Sequence, residues 1–120
     1  MTGYQFLSMA KAIQYLGDAT SAQQLLGTLQ STLQSETKQI ENAIESKNFE
    51  LIQKLLHQFK GFAPVFCHDS LIAKIKLTES LCKEIKDSEG SQLALQACGN
   101  LLDNLKLLLA EVNAHLSGQA

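Results

Sequence analysis

The segment Phe49 to Phe66 holds the residues best placed to do chemistry: His57, with Lys60 and Gly61 following it. At 100° per residue, Ile52, Leu55, Phe59, Phe62, Ala63 and Phe66 fall on one side of a helix, and that side is the expected buried stripe. His57 points the opposite way and shares its side with Glu50, Gln53, Lys54, Lys60, Gly61 and Pro64. A histidine on a polar face is free to react. Its neutral imidazole is a competent nucleophile toward phosphorus and can hold a phosphoryl group covalently. Lys60, one turn on, is placed to neutralise phosphoryl oxygens, and Lys54, one turn before, is a weaker second candidate. Gly61 costs a helix about 1 kcal/mol, and the expected return is a notch beside His57 that a partner can enter. Pro64 cannot donate to the Lys60 carbonyl, so it should kink the helix or mark its last turns.

The elements that position this face are read from apolar spacings of three and four, with no strand-like alternation. A short first helix is expected from about Tyr4 to Leu16, with Thr2 as N-cap and Gly17-Asp18 as its break. The second runs from Thr20 or Ser21 to Ser46, with Leu25, Leu26, Leu29, Leu33, Ile40, Ala43 and Ile44 along its stripe and looser packing around Ser35 to Thr37. Asn48 caps the third, Phe49 to Phe66. Asp69 or Ser70 caps the fourth, Leu71 to Lys86, and Ser91 caps the fifth, which ends near Leu116 and contains Gly99, a site of close helix approach. The four long helices are joined by short turns, which force neighbours to run antiparallel. The expected fold is all-α: an antiparallel up-down-up-down four-helix bundle with a short N-terminal helix, forming one domain over residues 1–120.

His57-Gln58-Phe59-Lys60-Gly61 resembles the H-x-[LF]-K-G signature of histidine-containing phosphotransfer (HPt) domains. The likeness extends upstream through Ile40 to Asn48, similar to the end of the family's preceding helix, and downstream to the apolar Phe66 and Leu71. It covers most of the chain and agrees with the bundle read from periodicity. The sequence departs from the family at Phe62, where a small residue is usual, at Pro64, and at Cys67, where a glycine often ends the helix. A left-handed Cys67 there would cost roughly 1 kcal/mol, and Phe62 would repack the interior.

The resemblance implies a phosphoryl carrier of a two-component phosphorelay. His57 would accept the group from the aspartyl phosphate of a receiver domain and pass it to another receiver. The implied partners are response-regulator receiver domains and a sensor or hybrid histidine kinase. The implied chain is not an enzyme: it has no nucleotide loop and no aspartate set to hold magnesium, so Mg2+ is expected on the partner receiver and no cofactor on this chain. Glu79, on the neighbouring fourth helix, is either the group that orients the imidazole or a solvated surface residue. Gln53, Lys54 and Pro64 are candidate docking residues. The first helix carries Tyr4, Phe6, Leu7, Met9, Ile13, Tyr15 and Leu16, more than one narrow stripe hides, so it either adds to the docking surface beside His57 or caps the core. The competing reading is a helical-bundle adaptor that docks signalling partners without being phosphorylated.

Composition bounds the remaining classes. The 120 residues are 45% hydrophobic and 18% charged, with one proline and a formal net charge of −2. All ten basic residues are lysine, which argues against a nucleic-acid partner. No apolar run is long enough to span a membrane, and Met1-Thr2-Gly3 lacks a signal-peptide pattern, so a cytoplasmic location without membrane insertion is expected. Cys67, Cys82 and Cys98 are expected as widely separated, reduced core thiols. His68 beside Cys67 has no second pair at ligand spacing, so no metal is expected, and His115 is expected to interact with the dipole at the end of the last helix.

Overall fold

The computed structural model describes residues 4–118. Within them lie five helices: α1 (Met9–Leu16), α2 (Ala19–Glu45), α3 (Phe49–Phe66), α4 (Asp69–Lys83) and α5 (Ser88–Leu116). Four of the helix starts have a side-chain cap. Ser8 caps α1 through the Lys11 N–H, and Gly17, at φ 95°, supplies the left-handed turn that ends it. The Asp18 carboxylate accepts from the Ser21 N–H and caps α2. Asn48 Oδ1 accepts from the Leu51 N–H at 3.2 Å and caps α3 as expected. Asp87 caps α5 through Gly90 N–H, one turn before the anticipated Ser91.

Other ends also differ from the sequence expectation: α4 starts at Asp69 after His68, which makes no side-chain cap, instead of being capped by Asp69 or Ser70, and it closes at Lys83, short of Lys86. Residues 4–8 precede α1 rather than opening it, and the expected Thr2 cap lies outside the described residues. At the close of α3, Cys67 is extended (φ −111°), so no left-handed residue is needed there. The left-handed non-glycine residue among those described is Lys47 (φ 55°), in the turn between α2 and α3. Pro64 sits in the last turn of α3 and marks its end.

The buried apolar residues form one cluster drawn from every helix. Packed neighbours run α2 to α3, α3 to α4, α4 to α5 and α5 back to α2, and α1 lies against α2 and α3. At 1.5 Å per residue, α2 and α5 are about 40 Å long, whereas α3 and α4 reach only about 25 Å. The N-terminal segment lies against the α3–α4 connection and the Glu111 region of α5. Phe6 and Leu7 are its buried anchors. Phe6 O accepts from His68 N–H at 2.9 Å, Phe66 O accepts from Ser8 N–H at 2.7 Å, and Leu7 forms an isolated bridge with Cys67.

A single carboxylate closes the same segment onto α5. Glu111, 8% exposed, accepts from the N–H groups of Gln5 (2.6 Å), Phe6 (3.0 Å) and Leu7 (3.0 Å). The stripe of α2 stays buried through its polar stretch. Thr37 returns its hydroxyl to Leu33 O at 2.8 Å, but Glu36, 7% exposed, leaves Oε2 without a hydrogen bond. Burial pushes the Glu36 carboxyl up to about 7. Gly99 is not a contact point between helices, because a Cβ added there would meet nothing within 4 Å.

Two outcomes follow from these carboxylates. Glu111→Ala leaves three N–H groups without their acceptor and should destabilise the fold by about 2–4 kcal/mol in chemical denaturation. The amides of residues 5–7 should lose hydrogen-exchange protection, and unchanged protection would remove the carboxylate from this role. Glu36 is protonated more readily in the folded chain than in the unfolded one, so its stabilising contribution is complete below about pH 4.5 and is lost as pH rises through 7. At pH 8, Glu36→Gln should therefore be more stable than the parent by about 1–2 kcal/mol, and the gap should close at pH 4. A gap independent of pH would refute the assignment.

Candidate functional site

The site begins with the division of α3 into two faces. Ile52, Leu55, Phe59, Ala63 and Phe66 are buried, as the spacing requires, and Leu56 and Val65 widen the stripe. Phe62 is only half-buried: its ring lies tilted against Phe59, centroids 4.7 Å apart, and lines a shallow apolar cleft with Leu25, Thr28, Leu29, Thr32 and Phe66. It packs against the edge of the core rather than inside it. On the other face, the side chain of His57 is 75% exposed.

The fourth helix brings Glu79 to this histidine. Thr78 and Cys82 are buried in the core, and this orientation of α4 turns Glu79, which lies between them, toward α3. Glu79 Oε2 lies 3.5 Å from His57 Nδ1, and Glu79 Oε1 lies 2.6 Å from Lys60 Nζ. The first separation is a close electrostatic contact, longer than a good hydrogen bond, and the second is a short ion pair. Both carboxylate oxygens thus face α3, and the Glu79 side chain keeps 18% of its exposure. Lys60 was expected to be free for an incoming group. Its ammonium is instead held by Glu79 while still 31% exposed.

The other sequence candidates separate into two sets. Gln53 is not free for docking: its amide donates to Cys82 O at 3.2 Å and ties α3 to the end of α4. Lys54, Gly61 and Pro64 are exposed on the histidine's side of α3. A Cβ at Gly61 would meet nothing within 4 Å, so internal packing places no demand for glycine there. In the N-terminal region Phe6 and Leu7 are core residues, whereas Ile13 and Tyr15 are exposed at 38% and 70%. The segment docks at Phe66 to His68, nine or more residues along α3 from His57, which is about 13 Å of helix axis.

The remaining histidines and the cysteines lie elsewhere. His68 is exposed at the start of α4 and its side chain makes no cap. His115 occupies the last turn of α5, edge-on to Tyr4 at 6.1 Å. All three cysteines are buried and free. They are not all far apart, as expected from sequence: Cys82 Sγ and Cys98 Sγ are separated by 3.4 Å. Spacing along the chain could not reveal this, because the pair joins different helices across the α4–α5 turn. Among the described residues no three His, Cys, Asp or Glu side chains form a group suited to a metal, and no helix is long and apolar enough to cross a membrane.

No family model, curated protein or solved structure matches the chain. The geometry therefore stands by itself: an exposed imidazole, one of whose nitrogens faces a carboxylate, and a lysine held by that same carboxylate. Open space at Gly61 gives its own test. Gly61→Ala should raise stability by up to about 1 kcal/mol, through helix propensity and a less flexible unfolded chain. A lower denaturation midpoint for this variant would show that glycine serves the fold.

Proposed function

We propose that this chain is a histidine phosphotransfer protein or domain, with α2 to α5 arranged as an antiparallel up-down-up-down bundle and α1 across one end. The observation that carries the reading is the pairing of an exposed His57 with Glu79 at its Nδ1. The carboxylate favours the tautomer with the proton on Nδ1, which leaves the Nε2 lone pair for attack. In the proposed transfer Nε2 attacks the phosphorus of a receiver's aspartyl phosphate. The N–P bond forms, the P–O bond to aspartate breaks, and the electron pair leaves with the carboxylate. The second receiver reverses the exchange with its own aspartate. No proton needs a dedicated acid or base, so positioning and charge carry the catalysis.

Several features support this assignment of roles. A rigid helix anchored by Phe59, Ala63 and Phe66 holds His57 in place. Lys60 sits one turn away, where it can turn from Glu79 toward the new phosphoryl oxygens. Magnesium and the reacting aspartate belong to the partner. The open surface at Gly61 admits the partner's loops, with Lys54 and Pro64 on the same face. Ile13, Tyr15 and Leu25 supply exposed apolar surface on α1 and α2 for docking.

Incubation with phosphorylated receiver domains tests the reading. The chain should acquire an acid-labile, alkali-stable phosphoryl group on His57. His57→Gln should keep its helical spectrum and accept none. Label on His68 or His115, or acceptance by His57→Gln, would overturn the assignment. Lys60→Ala should slow acceptance by about 10- to 100-fold, with less loss in Lys60→Arg. Gly61→Gln should slow it while the fold survives, and unchanged rates would remove the steric role of glycine.

A further inference from the structure

The sulfur pair behind the site is chemistry that the proposed phosphoryl transfer does not use. Cys82 lies in the last turn of α4, and Cys98 lies in the body of α5. Both are buried, at 3% and 1% exposure, and their sulfurs are 3.4 Å apart. A disulfide bond is about 2.05 Å long, so bonding needs an approach of little more than 1 Å. The two positions also differ in mobility. Cys98 is fixed within a long helix, whereas Cys82 precedes the end of α4 by a single residue, where helices open most cheaply. We propose that Cys82 and Cys98 form a reversible intrachain disulfide when the protein meets a hydroperoxide, locking the end of α4 to α5.

The roles of the two thiols follow from their contact. Either thiol can donate in this contact; with Cys98 as the donor, Cys82 is drawn down toward its thiolate while the same contact and burial push Cys98 up. Cys82 is therefore the first to react. Its thiolate attacks one peroxide oxygen, the O–O bond breaks, and a sulfenic acid forms with release of water or an alcohol. The Cys98 sulfur then attacks the sulfenic sulfur: the S–S bond forms, the S–O bond breaks, and hydroxide leaves as water with the Cys98 proton. Two thiols lose two hydrogens and the peroxide is reduced. Cys67 is free and buried, with no thiol in hydrogen-bond contact among the described residues, and burial pushes its thiol up to about 12, so it stays reduced.

Consequences reach α3, because the Cys82 carbonyl accepts from Gln53 and Glu79 lies one turn before Cys82. The disulfide itself does not depend on the phosphocarrier reading.

Mass spectrometry of the whole reduced chain, treated with hydrogen peroxide under native conditions and then blocked at free thiols in denaturant, tests the proposal. Cleavage after lysine places the three cysteines on separate peptides, since Lys60, Lys74, Lys76, Lys83, Lys86 and Lys106 flank them. The expected product has lost about 2 Da, carries one blocked thiol at Cys67 and links the Cys82 peptide to the Cys98 peptide. A dithiol reductant should restore both thiols. Cys82→Ser and Cys98→Ser should each abolish the link, and in denaturant the preference for this pair should disappear. An unchanged mass at peroxide levels that oxidise a free-thiol peptide would overturn the proposal. So would a link involving Cys67, a link between chains, or Cys82 carried on to sulfinic acid without the bond.

Discussion

The packing of α3 is the constraint from which the rest of the site follows. One helix of 18 residues has to supply a large share of the core and present a reactive side chain. Phe59 and Phe66, fully buried, fix its rotation, and a helix fixed in rotation fixes the direction of every other residue on it. His57 faces outward because Ile52, Leu55, Phe59 and Ala63 face inward. Turning the helix to bury the imidazole would expose two phenylalanines, at a cost of several kcal/mol of apolar burial. The precision of the candidate site is thus inherited from hydrophobic packing.

The same logic explains the N-terminal segment. The segment before α1 buries apolar side chains at the α3–α4 connection and must do so without bringing unpaired backbone groups with it. Phe6 and Leu7 are those side chains. Glu111, Phe66 and His68 satisfy the backbone: the carboxylate takes three N–H groups that have no helix or sheet to join, Phe66 O accepts from Ser8 N–H and His68 N–H donates to Phe6 O. A buried carboxylate is costly unless it is fully engaged. Glu111 is engaged and Glu36 is not, and for Glu36 the consequence is a carboxyl pushed up toward neutrality.

Much of this was legible in the sequence, and the misses have a common cause. Periodicity located the helices to within a few residues and gave the outward direction of His57, because both depend on local spacing. The Asn48 cap was legible for the same reason. The non-helical Tyr4 to Leu7 stretch was not, since its apolar residues imitate a helical stripe and its true partners, Glu111 and His68, are far away in the chain. Contacts between helices were the least accessible. Glu79 stood out only as one of two alternatives, the engagement of Lys60 by Glu79 was missed, and the meeting of Cys82 with Cys98 had no signal along the chain.

Charge around His57 gives the proposed carrier its directionality. Before transfer, Lys60 and Glu79 are paired with each other beside the imidazole. Transfer onto Nε2 adds a net charge of about −1 to the site, because the ring that keeps its Nδ1 proton becomes positive as the phosphoryl oxygens bring about −2 beside the Glu79 carboxylate. One lysine cannot neutralise both anions. The phosphorylated site therefore holds excess negative charge, which a partner's bound magnesium and basic groups relieve on docking, and the charge departs with the phosphoryl group. Glu79 serves both stages in this reading. It sets the tautomer that makes the imidazole a nucleophile, and afterwards its repulsion keeps the N–P bond from becoming a resting place.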